Sequence, residues 1–459
     1  MKNNIIAFVL FLIISNTAFA NVTLPNVFSD NMVLQRNAEV TIWGWANPQE
    51  EVVITPSWNN KTYKIKASNQ AKWEINIPTP KEGGPFSISI KGYNEIVLKN
   101  ILIGEVWICS GQSNMEMNAS WGIENGDEAV KNAVNPNIRF FLVPKLTATV
   151  PQNNISGTWT ECSPETMKYF SAVGYFFGKR LQEELKDVPI GLISSNWGGT
   201  PAEIWMPEEV IQNDAVLLEA TKTRKEERYG PNQPGRAFNA MIYPLTGFKI
   251  AGVIWYQGES NVGSSVYDKT FSALITSWRK LWKSDFPFYY VQIAPYNYGE
   301  NHFGGAIIRD AQRKVLQDVP NTGMVMTSDI SPIDDIHPKD KKSVGTRLAN
   351  LALANTYKTI TTLVNGPLYK GIKIEKSKIT VTFEYADGLY FKDKKADLFE
   401  VAGADGIFYE VVATINNNNV ILQSDKVKNP VKVRFAWKNN AQSQLFNKAN
   451  LPASSFITE

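Results

Sequence analysis

Ile101-Leu102-Ile103-Gly104-Glu105-Val106-Trp107-Ile108-Cys109-Ser110-Gly111-Gln112-Ser113-Asn114-Met115 is the stretch on which the fold turns. Residues 101 to 109 are a short apolar run that reads as a buried strand. The run ends near Gly111, which permits a tight turn, and the segment after Ser113 is able to become helical. A helix starting there directs backbone N–H groups toward the serine, where they stabilise an alkoxide or a tetrahedral oxyanion. Ser113 therefore reads in two ways, as a nucleophile or as the cap of that helix.

The same grammar recurs downstream. Residues 189–195 and 247–256 are apolar strands that end in Asn196-Trp197-Gly198-Gly199-Thr200 and Gln257-Gly258-Glu259-Ser260-Asn261. Helical spacing marks 170–185, where Val173, Phe177, Leu181 and Leu185 share a face, and also 267–282, 309–317 and 342–357. Residues 207–229 read as a charged peripheral helix, and 288–294 and 325–327 as further strands. Strand, polar Gly-bearing loop, helix, repeated, means an α/β sheet with connections crossing its faces. The expected domains are an N-terminal β domain over 21–100, an α/β domain over 101–361 and a C-terminal β domain over 362–459, the flanking segments being all-β and sandwich-like.

Composition narrows the function classes. Lys2, the apolar run from Ile5 to Ile14 and Ala18-Phe19-Ala20 read as an export signal over residues 1–20, so a secreted or periplasmic protein is expected. No later run of 18 apolar residues follows, and no membrane insertion is expected after the signal is removed. The formal net charge is +3 with scattered Lys and Arg, which gives no nucleic-acid footprint. Cys109 and Cys162 are the two cysteines of the 459-residue chain; buried thiols are the expected state, a disulfide the alternative. With two histidines and two cysteines no metal cluster is visible, and no cofactor is expected.

Histidine scarcity shapes the chemistry. Serine hydrolysis needs an imidazole to take the hydroxyl proton and pass it on. The chain offers His302 and His337, and His337 sits in Asp334-Asp335-Ile336-His337-Pro338 beside two carboxylates. A nearby carboxylate fixes the ring tautomer if the chain turns, which Pro332 and Pro338 favour. Glu259 is a further candidate to support the histidine. Gly198 and Gly199 can bring a bare N–H to a ligand, and Gln257 or Asn261 can donate from a side chain. Arg309 reads as a loop tie or a contact for an acidic substrate.

The four strings Cys109-Ser110-Gly111-Gln112-Ser113-Asn114-Met115-Glu116, Asn196-Trp197-Gly198-Gly199-Thr200-Pro201-Ala202-Glu203, Trp255-Tyr256-Gln257-Gly258-Glu259-Ser260-Asn261 and Asp335-Ile336-His337-Pro338 resemble the sialate O-acetylesterase family of the SGNH hydrolase superfamily. The resemblance implies a three-layer α/β/α catalytic domain with Ser113 as nucleophile and His337 as general acid–base. It ranks Asp334 first as the orienting carboxylate, with Glu259 and Asp335 next. It implies oxyanion donors at the Ser113 N–H, the Gly198 N–H (Gly199 is one residue away) and the Gln257 side chain or Asn261. Gln112, Asn114, Trp197 and Arg309 are the expected substrate contacts. The function it implies is a secreted serine esterase removing O-acetyl groups from a carbohydrate. Acetylxylan or another plant glycan is an alternative substrate, and a non-catalytic carbohydrate-binding protein is the alternative from another class.

Overall fold

The structure is a computed structural model that describes residues 21–222, 230–299, 303–394 and 396–458. The expected export signal at 1–20 and the rival His302 lie outside the described residues.

The opening strand is longer than its apolar run, covering Glu95–Gly111. Its outer half pairs with the antiparallel Gly83–Lys91 and the parallel Val33–Gln35 of the N-terminal β structure. Its inner half is the centre of a sheet ordered Thr322–Val325, Phe288–Val291, Gly252–Tyr256, Glu95–Gly111, Ile190–Asn196, Asn135–Leu142, Trp159–Cys162. Every pair on that path is parallel except the last. Alternation along the strand separates two cores: Val106 and Ile108 face one, Trp107 and Cys109 the other. Helices Tyr267–Trp282 and Gly304–Asp318 cover the first face, and Ala172–Leu185 with Lys341–Asn355 the second. The result is three layers, α/β/α, as a buried parallel sheet requires.

Two four-stranded C-terminal sheets follow, one containing Leu368–Glu375 and Lys378–Glu384, the other Phe399–Ala402 and Lys432–Phe435. Val381 and Leu422 from one and Val401, Phe435 and Phe456 from the other share a core, the packing of a sandwich. One reading of the sequence needs correction, and two strands were not anticipated. The single charged helix over 207–229 is instead two short helices, Glu208–Gln212 and Ala215–Lys222, and 223–229 lie outside the described residues. Asn213 and Asp214 end the first and start the second, and the Asp214 carboxylate accepts the N–H of Val216. The strands Asn135–Leu142 and Trp159–Cys162 escaped notice because Asn and Pro open the first and the second has four residues. Cys109 and Cys162 are free and buried, and burial holds the Cys162 thiol up at about 12.

Candidate active site

Register brings the motif loops together. Gly111 pairs with Asn196 on one side and Tyr256 on the other, so three polar loops leave adjacent strands at one level. The chain enters the sheet at its middle strand and later strands add on both sides, which opens a crevice at those strand ends. Gly111 is required there: φ is +134°, and an added Cβ would stand 2.2 Å from the Tyr256 carbonyl oxygen. The Gln112 N–H donates to that same oxygen at 2.9 Å.

The helix Ser113–Glu116 begins at once, with Gln112 rather than Ser113 at the capping position. Ser113 Oγ instead lies 2.9 Å from Nε2 of His337, a residue 224 positions away. The His337 loop is held by its own backbone N–H, which donates to Asp335 Oδ1 at 2.8 Å. Burial foremost, and then the Lys341 ammonium, hold the His337 ring below its ordinary pKa, while Asp335 and Glu116 act in the opposite sense. Asp334, expected first among the orienting carboxylates, is exposed and makes no hydrogen bond among the described residues. Glu259 is buried and faces Asn114, not the ring.

Asn114 departs from the expected substrate contact. It is 0 % exposed, its Nδ2 donates to Glu259 Oε1 at 2.6 Å and to the Ile336 carbonyl at 3.0 Å, and its Oδ1 accepts from Lys341 Nζ at 2.6 Å. Burial raises the Glu259 carboxyl and pushes the Lys341 ammonium down to about 7. Gln112 is likewise turned inward, its Oε1 accepting the N–H groups of Gly258 and Ser260. Arg309 is 1 % exposed; it donates to Ser455 Oγ and to the carbonyls of Asn439, Lys438 and Ala436, so it ties the C-terminal β structure to the α/β sheet. Trp197 is half-buried, and its N–H donates to the Gly111 carbonyl.

The expected oxyanion donors divide. Gln257 is fully buried: its Nε2 donates to Asn261 Oδ1 at 2.7 Å and to the Thr200 carbonyl, and its Oε1 accepts from Tyr267. The Asn261 Nδ2 donates to the buried Glu203 carboxylate. Both side chains are thereby spent on bracing the two loops. Gly198 does stand beside the serine, since a Cβ on it would be 3.2 Å from the Ser113 Cβ. Its N–H donates to Glu116 Oε2 at 2.7 Å, and Glu116 Oε1 pairs with Lys145 at 2.5 Å. The N–H groups of Ser113 and Gly199 carry no hydrogen bond among the described residues. Glu116, Lys145 and Lys341 were not singled out from the sequence. Glu116 lies inside the serine motif, three residues from Ser113 and on its helix, which was the available signal; Lys341 gave none, because a buried lysine is rare.

A family model described as a sialic acid-specific acetylesterase among the carbohydrate esterases matches residues 103–354. The sialate O-acetylesterase of Homo sapiens is 29 % identical to this chain over 477 residues, covering 94 % of this chain and 91 % of its own. That of Mus musculus is 27 % identical over 521 residues, covering 97 % and 96 %. Among solved structures, a carbohydrate acetylesterase from Xanthomonas citri superposes with a TM-score of 0.86 at 33 % identity, covering 95 % of this chain and 99 % of the other.

Proposed function

Because the chain belongs to the sialic acid-specific acetylesterase family of carbohydrate esterases, and is thus a carboxylic ester hydrolase, we propose that it removes O-acetyl groups from a sugar by a serine mechanism. O-acetylated sialic acid is the substrate this reading favours, supported by the sialate O-acetylesterases that align over more than nine-tenths of the chain. The observation that carries the mechanism is the 2.9 Å approach of His337 Nε2 to Ser113 Oγ.

Ser113 Oγ attacks the acetyl carbonyl carbon while its proton passes to His337 Nε2. The Ser113 N–H and a second N–H from Gly198 or Gly199 receive the oxyanion; Gly198 does so once Glu116 turns away toward Lys145. The tetrahedral species collapses, the bond to the sugar oxygen breaks, and Nε2–H protonates that oxygen. Water then adds to acetyl-Ser113 with its proton going to the same nitrogen, and acetate leaves as the serine recovers its proton. Neutral imidazole is needed at the first step, and the depressed pKa of His337 supplies it. Asp335 takes the orienting role, since it braces the histidine's backbone and is the carboxylate that favours the imidazolium most.

Export to the periplasm or medium belongs to the same reading, supported by the apolar run and Ala18-Phe19-Ala20 at the start of the chain. Among the described residues no helix is long and apolar enough to cross a membrane. The test of the mechanism is labelling with an organophosphonate and turnover of p-nitrophenyl acetate. Modification at Ser113, with activity abolished in a folded Ser113→Ala variant, is expected. Near-normal turnover by that variant would remove Ser113 from its role, and an unlabelled protein without turnover would leave a sugar-binding protein.

A further inference from the structure

Seven of the nine described arginines meet a carboxylate, and Arg309 is surrounded by carbonyls. Arg236 is the exception. Its Nε donates to Gln233 Oε1 at 3.1 Å, and its two Nη groups meet no acceptor among the described residues. The side chain lines a cavity of ≈ 410 Å³ together with Thr147, Thr149, Gly230 and Gln233. That volume suits one sugar residue, within the usual range of small-ligand sites.

The cavity's walls are tied to one another, and one of its glycines packs against the loop beside the serine. The Ala148 N–H donates to the Arg236 carbonyl at 3.1 Å, and Nδ2 of the buried Asn239 donates to the Ala148 carbonyl at 3.1 Å, so its two walls are stitched together. A Cβ on Gly230 would lie 2.9 Å from the Gly198 oxygen, and one on Gly198 lies 3.2 Å from the Ser113 Cβ. Gly230 of the cavity wall thus packs against Gly198, which stands beside Ser113. On the other wall Lys145, two residues before Thr147, reaches Glu116 and through it the Gly198 N–H.

We propose that Arg236 is the subsite for the carboxylate of an acidic sugar whose O-acetyl ester is presented to Ser113; this rests on the esterase reading above. A guanidinium with two free Nη groups offers the planar fork that binds a carboxylate through paired hydrogen bonds. In an O-acetylated nonulosonate the carboxylate is on C2 and the acetylated glycerol chain on C6, the two carbons that flank the ring oxygen, so one sugar can reach both an anchor and the serine loop. A neutral acetylated xylan has nothing to place there, whereas an acetylated galacturonan carries a carboxylate of its own.

The experiment compares kcat/KM of the full chain and its Arg236→Gln and Arg236→Lys variants on 9-O-acetyl-N-acetylneuraminate, its C1 methyl ester, acetylated oligogalacturonate and acetylated xylo-oligosaccharide. The native protein is expected to favour the free acid over its methyl ester. In Arg236→Gln the KM for the acid rises about ten- to hundredfold, the loss expected for hydrogen bonds to a charged group, and the preference over the methyl ester collapses. Arg236→Lys restores part of it. The same Arg236 dependence on oligogalacturonate, with none on the nonulosonate, upholds the subsite and names a uronate as its sugar. Equal rates on acid and methyl ester in the native protein together with no Arg236 dependence on oligogalacturonate, or an equal non-zero fall on acid and methyl ester in Arg236→Gln, overturn the proposal. A native protein that hydrolyses no acetyl ester, p-nitrophenyl acetate included, refutes the esterase reading itself, and the subsite with it.

Discussion

Asn114→Ala should damage this protein twice over, once in stability and once in turnover. The amide is fully buried and holds three partners: Glu259 at 2.6 Å, Lys341 at 2.6 Å and the Ile336 carbonyl at 3.0 Å. Two of these bonds involve ionisable groups, worth roughly 1.5–3 kcal/mol each, and the third is worth about 1 kcal/mol. Simple addition gives about 4–7 kcal/mol, but bonds in one network do not add. Lys341 can also shed its proton, its pKa being already down at about 7, so part of the penalty is relieved. A loss of about 3–5 kcal/mol in urea unfolding is expected, a large share of a typical domain's 5–15 kcal/mol. The second effect follows from the Ile336 carbonyl, which ties the histidine loop to the helix that carries the serine. Freed of that tie, His337 shifts, and a displacement near 1 Å reduces kcat on p-nitrophenyl acetate on the order of a hundredfold. An Asn114→Ala protein that unfolds within about 1 kcal/mol of the native one and keeps its kcat would refute the tether.

The remaining expectations concern protons and the C-terminal sheets. His337 must be neutral to accept the serine proton, so kcat/KM is full above its pKa and falls as pH drops through it; the acid-limb midpoint should lie below the ordinary 6.5. Lys341→Met removes the second cause of that depression, and the limb should move upward; an unmoved limb refutes the coupling. The same lysine predicts a stability window: between about 7 and 10.5 the unfolded chain binds a proton that the folded one does not, so stability rises with pH there. Urea midpoints of the native protein should climb across that window, and those of Lys341→Met should climb less. Arg309→Met removes one donor from each of four acceptors and should lower stability by about 3 kcal/mol, with hydrogen exchange rising first in the C-terminal strands that the guanidinium holds.

What was legible in the sequence was whatever rests on local pattern. The central strand, the glycine that ends it and the helices with a four-residue stripe follow from periodicity, and the layered fold follows from their alternation. Ser113 and His337 stood out because so few histidines compete. The side-chain amides were misjudged for one physical reason. Gln112, Asn114, Gln257 and Asn261 lie in polar loops, where a sequence cannot distinguish a donor aimed at a ligand from one spent on a neighbouring loop. Burial decides between them, and burial depends on partners more than fifty residues away: Glu203 for Asn261 and Thr200 for Gln257. Asp334 and Asp335 posed a similar problem, since only the turn's shape sends one to solvent and the other back to the histidine N–H.

The bracing amides also explain how a serine and a histidine 224 residues apart hold a working distance. A direct Glu259–Lys341 contact would satisfy both charges and fix nothing else. With Asn114 between them, the carboxylate takes the amide N–H and the ammonium takes the amide oxygen, so the amide has one allowed orientation. In that orientation the same nitrogen that meets Glu259 also donates to the Ile336 carbonyl, one residue before His337. Burial moves both ionisable partners toward their neutral forms; the Asn114 hydrogen bond opposes that drift for Glu259, and the nearby carboxylates, Glu259 first, oppose it for Lys341. The polar cluster is therefore costly to bury yet specific in what it holds. Its product is the position of one imidazole, and replacing Glu259 and Lys341 by apolar residues of equal volume would keep the fold while releasing the histidine loop.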